Sequence, residues 1–321
     1  MSAGRSARIA AAGAYQWAKV SYGLVREDGL AGAAESARTF RTGLFRLAGL
    51  CYNYGVPIFD LEWDVLVVLD ACRADLMAEV APAYGFESVG SVDSVASASP
   101  EWMAKNFDER YADELAETAY VTGNPYSRTH ADEDAFLVLD EVWEYAWDER
   151  LGTVTADAVT DRAIAVHRQW RPRRTIVHYM QPHHPFVPRP LDAGMDREAG
   201  PGSFGLADSV WRDLRLGRFT REEVWSAYRA NLEYVLQHVA VLLENVDADT
   251  VAITADHGNA FGERGLYGHP IYVPIEPLKR VPWCLTTGTD SGRYVPTLEA
   301  TEAVQSDERR LEEKLADLGY R

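Results

Sequence analysis

An α/β fold, a three-layer sandwich around a mostly parallel sheet, is what this sequence predicts. Three observations carry the expectation. Strand-like and helix-like segments alternate from residue 62 onward. The strands are continuous aliphatic runs, the mark of strands buried on both faces. Finally, an apolar share of 47% over 321 residues is enough for a sizeable core, which excludes disorder as the main state.

Each element has its own warrant. Residues 1–50 read as one or two helices, with Gly29 and Gly32 as a break. Val65-Leu66-Val67-Val68-Leu69 is a buried central strand, and Arg73 to Ala81 a helix stopped by Pro82. Pro100 to Glu117 reads as a further helix. Ala119 to Thr122 is a short strand closed by the turn Gly123-Asn124-Pro125. Ala156 to Gln169 has helical spacing, and Thr175 to Met180 is a second buried strand. Residues 187–204, rich in Pro, Gly and Asp, are expected to form a loop. Thr220 to Val246 is a long helix, with Thr220 as N-cap and Glu222 and Glu223 in its first turn. Thr250 to Ala255 and Val281 to Thr287 complete the strands, and 297–318 is a charged terminal helix.

Charge narrows the function classes. With 32 Lys+Arg against 49 Asp+Glu the chain carries −17, which argues against nucleic acid as a partner. Only Lys19, Lys105, Lys279 and Lys314 are lysines, an acid-rich, lysine-poor composition expected of a halophilic, haloarchaeal protein. Residues 1–50 depart from this pattern, with seven basic against three acidic residues, a net +4 that leaves −21 for the rest. They are expected either to pack on the acidic body or to touch an anionic membrane surface. Lacking a secretory signal and any apolar run near ~18 residues, the chain is expected to be cytoplasmic, peripheral at most on the inner membrane face. Three distant cysteines suggest neither a disulfide framework nor a zinc knuckle.

In such a sheet, reactive groups collect beyond the carboxyl ends of the strands. Asp70 ends the first strand, Gln181-Pro182-His183-His184-Pro185 follows the second, and Asp256-His257-Gly258 ends the third. An Asp-His pair alone is most simply a cap beside an exposed imidazole. Asp70 ending a neighbouring strand in the same way turns it into a metal-site candidate, since two carboxylates at one edge call for a cation. Ser99, directly before Pro100, reads as a helix N-cap whose hydroxyl faces the positive helix end and would be activated by a metal. Ser97 is the alternative nucleophile. His178, His183, His184, His257 and His269 are five of the eight histidines. As neutral imidazoles they would bind an ion; as cations they would hold an anionic oxygen or protonate a leaving group.

Four blocks together resemble the alkaline phosphatase superfamily, in its sulfatase-like and lipoteichoic-acid-synthase-like branch. They are Val67-Val68-Leu69-Asp70-Ala71-Cys72-Arg73-Ala74-Asp75, Ser97-Ala98-Ser99-Pro100, His178 through Phe186, and Thr254-Ala255-Asp256-His257-Gly258 with Glu263 and His269 after it. They span roughly residues 62–285 in the family's order. The resemblance implies a catalytic domain over 61–321, preceded by a helical segment over 1–60. It implies Asp70, Asp256, His257 and Ser99 as metal ligands, with Ser99 as the nucleophile. His183 and His269 would contact the transferred group or a second metal. Asn124 joins them as a substrate-binding candidate, and Arg73 as an anion contact.

Two departures point to phosphate rather than sulfate esters. The sulfatase Cys-x-Pro-Ser-Arg signature, whose cysteine becomes formylglycine, is missing, and Ala71 follows Asp70 where the family pairs two aspartates. The expected activity is therefore metal-dependent hydrolysis or transfer of a phosphoryl group, on a small-molecule, glycan or lipid ester. Mn²⁺ or Zn²⁺ suits two Asp, one His and a hydroxyl, with Ca²⁺ or Mg²⁺ as harder alternatives. A sulfatase without formylglycine and a non-catalytic member of the fold stay open as alternatives.

Overall fold

Helix α1 covers 33–51 and leads through a short 3-10 turn, Ile58–Asp60, into strand β1, Val65–Leu69. The computed structural model describes residues 21–22, 26, 29–30, 33–86, 89–191, 210–300 and 308–318. In chain order there follow α2 (Ala74–Val80), β2 (Gly90–Asp93), α3 (Ser99–Asn106), α4 (Ala112–Ala116), β3 (Thr118–Thr122), α5 (Ser127–His130) and β4 (Val138–Glu141). A small hairpin, β5 (Trp147–Asp148) and β6 (Thr153–Val154), precedes α6 (Ala156–Trp170) and β7 (Arg174–Tyr179). Next come α7 (Val210–Arg215), α8 (Arg221–Leu243) and β8 (Ala248–Thr254). The chain continues through β9 (Ala260–Phe261), β10 (Tyr267–Gly268), α9 (Glu276–Lys279), β11 (Arg280–Gly288) and α10 (Glu308–Asp317).

The central sheet has the order β2-β11-β8-β1-β7-β3-β4. β8, β1, β7, β3 and β4 run parallel, while β11 is antiparallel to both of its neighbours. All five β1 residues are fully buried, as their unbroken aliphatic run requires. Val65, Val67 and Leu69 face a core shared with α2, α6 and α8, including Met77, Val159 and Leu232. Leu66 and Val68 face the opposite core, with Trp102, Met103 and Leu115 of α3 and α4. One sheet between two helical layers is thus the observed architecture, as expected.

Several boundaries differ from expectation for physical reasons. The segment 100–117 is not one helix. It breaks at Phe107 (φ −95°, ψ 44°), whose ring packs edge-on against Trp102, Tyr120 and Phe136. Asp108 then caps a new 3-10 turn by accepting from the Arg110 amide. Ala98 in extended conformation, not Ser99, is the N-cap of α3, so Ser99 is its first helical residue. Pro82 does not end its segment either, but sits inside a 3-10 continuation, Ala81–Tyr84. Residues 297–300 are not helical: the Thr297 and Leu298 amides donate to Asp161 at 2.8–3.1 Å. The long helix fits its sequence signature, with Thr220 and Glu223 forming a reciprocal capping box. The expected loop is described over 187–191; its remainder, 192–204, lies outside the described residues, as do residues 1–20.

Candidate active site

Four parallel strands deliver the site from their carboxyl ends. In-register pairing of Leu69 with Tyr179, Val68 with Thr254 and Thr122 with His178 brings these ends level. Asp70 follows β1, Asn124 follows β3 after one glycine, His183 lies beyond β7, and Asp256 and His257 lie beyond β8. Asp70, Ser99, Asn124, Asp256 and His257 are all fully buried.

The turn after Asp70 is sharp. Ala71 takes the left-handed conformation (φ 60°), which costs a non-glycine residue roughly 1–2 kcal/mol. Contacts hold it there: its amide donates to Asp256 Oδ1 at 2.9 Å, and Tyr228 Oη donates to its carbonyl. The turn therefore ties the β1 and β8 ends together. On the β8 side Gly258 is required, because a Cβ would lie 2.3 Å from the Pro277 carbonyl oxygen.

One ligand atom each from Asp70, Asp256 and His257 lies within 4.8 Å of the others. His257 Nε2 is 3.4 Å from Asp256 Oδ2 and 3.7 Å from Asp70 Oδ1. The His257 Nδ1 proton goes to the Gly258 carbonyl, 2.9 Å away, which leaves the Nε2 lone pair facing the carboxylates. Asn124 Nδ2 donates to Asp70 Oδ2 at 2.8 Å and fixes that carboxylate. Ser99 Oγ lies 3.4 Å from Asp70 Oδ2 and 3.3 Å from His257 Nε2, so the hydroxyl stands within the same cluster.

The residues fit a divalent cation. Asp256 Oδ2 is a buried carboxylate oxygen with no hydrogen-bond partner among the described residues, a costly state for an anion in a dry interior. Two carboxylates, an imidazole lone pair and a hydroxyl form a mixed oxygen and nitrogen donor set of the kind Zn²⁺ and Mn²⁺ accept. Burial alone would raise the Asp256 carboxyl, but positive charge on an imidazole at His257 or His178, with the hydrogen bond from the Ala71 amide, would hold it below the ordinary range.

Above the cluster sits a histidine pair. His183 Nδ1 donates to the His184 carbonyl, and its Nε2 meets His269 Nε2 at 2.9 Å. One of the two Nε2 atoms must carry the proton, and the first bond assigns it to His269. The His269 ring also stacks on His257, with centroids 4.6 Å apart. Burial, and then the neighbouring imidazoles, push His183 down to about 3 and His269 well below the ordinary value. The pair is neutral, one of the two states the sequence left open, and its N–H groups are spent on the His184 carbonyl and within the pair.

Two sequence candidates lie elsewhere. Ser97 Oγ is 3.0 Å from both Glu101 Oε2 and the Pro270 carbonyl oxygen, and accepts from the Val273 amide at 3.0 Å. Its hydroxyl is committed to holding the loop that carries His269. The Arg73 guanidinium donates to Asp75, to Glu263 and to the Asn259 carbonyl, and to no member of the cluster among the described residues. It ties the β1 turn to the segment after β8 and is not placed as an anion contact. His178, by contrast, is a neighbour that its position inside an apolar strand signalled only weakly. It is fully buried, shares a hydrogen bond with Tyr120 Oη at 3.0 Å, and brings Nε2 to 3.8 Å from Asp256 Oδ2. Burial lowers it to about 4.

No protein-family model matches the sequence, and no curated protein matches it. Solved structures similar to the chain include the soluble domain of lipooligosaccharide phosphoethanolamine transferase A from Neisseria meningitidis, at 16% identity over 70% of this chain and 76% of that one, with TM-score 0.49. The periplasmic domain of phosphoethanolamine transferase EptC from Campylobacter jejuni is 15% identical over 70% of this chain and 78% of that one, with TM-score 0.46. A third similar structure, from Vibrio parahaemolyticus, is 12% identical over 75% of this chain and 64% of that one, with TM-score 0.37. That protein is described as belonging to the alkaline phosphatase superfamily.

Proposed function

We propose that the protein cleaves or transfers the phosphoryl group of a phosphate ester, with Ser99 as the nucleophile and a divalent cation held by Asp70, Asp256, His257 and Ser99. The observation that carries this reading is the position of Ser99 Oγ, 3.3 Å from His257 Nε2 and 3.4 Å from Asp70 Oδ2, in the first turn of α3. A cation bound there would neutralise the paired carboxylates, ease ionisation of the hydroxyl and polarise a phosphoryl oxygen.

The protein's own groups account for the rest. Ser99 Oγ attacks phosphorus in line and gives its proton to Asp70 Oδ2, which Asn124 orients. The bond from phosphorus to the leaving alkoxide breaks as the serine ester forms. The proton taken up by Asp70 leaves with the departing alkoxide, and the neutral His183–His269 pair, whose N–H groups are committed within the pair and to the His184 carbonyl, lines the site beside the cluster. Water, or an acceptor hydroxyl on a sugar or lipid, then takes the group and regenerates Ser99.

Cys72 supports phosphate over sulfate chemistry. It is fully buried, its Sγ donates to the Arg73 carbonyl at 3.7 Å, and burial raises its thiol well above the ordinary value. A formylglycine precursor would have to stand where Ser99 stands. The test is parallel turnover of a bis-aryl phosphate, an aryl phosphate and an aryl sulfate, with Mn²⁺, Zn²⁺, Ca²⁺ or Mg²⁺ added in turn. Phosphate ester turnover that disappears in Ser99→Ala supports the reading. Sulfate turnover alone, or an unchanged rate in Ser99→Ala, overturns it.

A further inference from the structure

Helix α1 has two opposite faces. Its inner face is seated on the segment around His269: Phe45 packs against the cluster of Leu266, Val273 and Ile275, and Arg41 donates to the Gly265 carbonyl at 2.9 Å. At Gly49 a Cβ would lie 2.0 Å from the Tyr272 carbonyl oxygen, so helix and loop are in direct backbone contact. The outer face carries Leu44, Leu47 and Leu50, which are 52%, 48% and 51% exposed, at helical spacing. Three half-exposed leucines in a row on one helix are not the scattered single apolar residues of an ordinary surface.

Charge selects what covers this face. Over 33–51 the helix has Arg38, Arg41 and Arg46 against Glu35 alone, and Glu35 is ion-paired with Arg38 and Arg215. Residues 1–50 carry net +4, while the rest of the chain carries −21. An apolar stripe with the exposed Arg46 beside it, on the basic leading segment of an otherwise acidic molecule, matches an anionic lipid surface, which attracts this segment and repels the rest. The described residues include no helix long and apolar enough to cross a membrane, so the contact is interfacial.

We infer that the outer face of α1 docks onto an anionic bilayer surface, with Leu44 and Leu47 entering the headgroup boundary. The inference stands apart from the catalytic reading, because its readout needs no turnover. The full chain is sedimented with vesicles of phosphatidylcholine alone and of phosphatidylcholine mixed with phosphatidylglycerol. The wild type should partition at least about tenfold more strongly into the anionic vesicles. Leu44→Asp/Leu47→Asp should fall to the phosphatidylcholine level with unchanged circular dichroism, and Leu47→Trp should show a blue-shifted emission on binding. Equal partitioning of the wild type into both vesicles would overturn the inference, as would wild-type binding by the folded double variant. So would a wild-type dimer that the double variant abolishes, which would mean that a second copy covers the face.

Discussion

Two buried polar knots lie side by side at the start of α3, and they differ in one respect. In the knot around Glu101, each carboxylate oxygen has a donor: the Ser97 amide and hydroxyl and the Tyr272 amide meet Oε2 at 3.0–3.1 Å, and Lys105 meets Oε1. In the knot around Ser99 the Ala71 and His257 amides, Asn124 Nδ2 and the Ser99 hydroxyl are shared by two carboxylates, and Asp256 Oδ2 has no hydrogen-bond partner among the described residues. A satisfied buried carboxylate is a structural fastener, while an unsatisfied one beside a second carboxylate is prepared for a cation. Two serines only two positions apart thus belong to different machinery.

The largest effect should separate those serines. Ser99→Ala should lower bis-aryl phosphate turnover by about 1,000-fold or more, the loss expected when a nucleophile is removed. Ser97→Ala should leave that rate within about threefold and lower stability by about 1 kcal/mol, the worth of an ordinary hydrogen bond. Equal losses of turnover in both variants would erase the distinction. Removing the fastener itself is the next test. Glu101→Ala leaves buried donors without an acceptor, so denaturant unfolding should show a loss of about 2–3 kcal/mol; a smaller change than in Ser97→Ala would mean that the Glu101 knot is not a fastener.

The histidines around the Ser99 knot predict a pH dependence. Burial lowers His178 and His184 to about 4, whereas the unfolded chain takes up those protons near 6.5. Between these values the unfolded state binds more protons, so stability is lost as pH falls from 6.5 toward 4. In chelator-treated protein the denaturant midpoint should be lower at pH 5 than at pH 7, and an unchanged midpoint would mean that these imidazoles are not buried neutral. The smallest effect lies far from both knots: Thr220→Ala removes the capping box of α8 and should cost about 1 kcal/mol without changing turnover.

Much of the sheet and the core of the site was legible because both rest on sharp contrasts in the sequence. Asp70 and Asp256 each interrupt an apolar run at the end of a strand, and that position is where a parallel sheet gathers its chemistry. Edge strands β2 and β4 carried no such contrast. Gly90-Ser91-Val92-Asp93 and Val138-Leu139-Asp140-Glu141 are short and mostly half-exposed or exposed, so neither apolar run nor alternation marks them. The break at Phe107 was hidden because its cause is tertiary, a ring drawn into contact with Tyr120 and Phe136. Arg73 looked like an anion contact because its partner Glu263 lies 190 residues away. Local spacing carries the candidate ligands well and the fasteners poorly, since fasteners are defined by where distant segments meet.

Metal titration into the chelator-treated protein tests the central claim most directly. Calorimetry with Zn²⁺ or Mn²⁺ should reveal an ion whose affinity falls at least about 100-fold in Asp256→Asn, a variant that keeps size and hydrogen-bonding capacity but loses the charge. Wild-type affinity in Asp256→Asn would contradict the account, since the carboxylate oxygen left without a partner would then have no part in holding a cation.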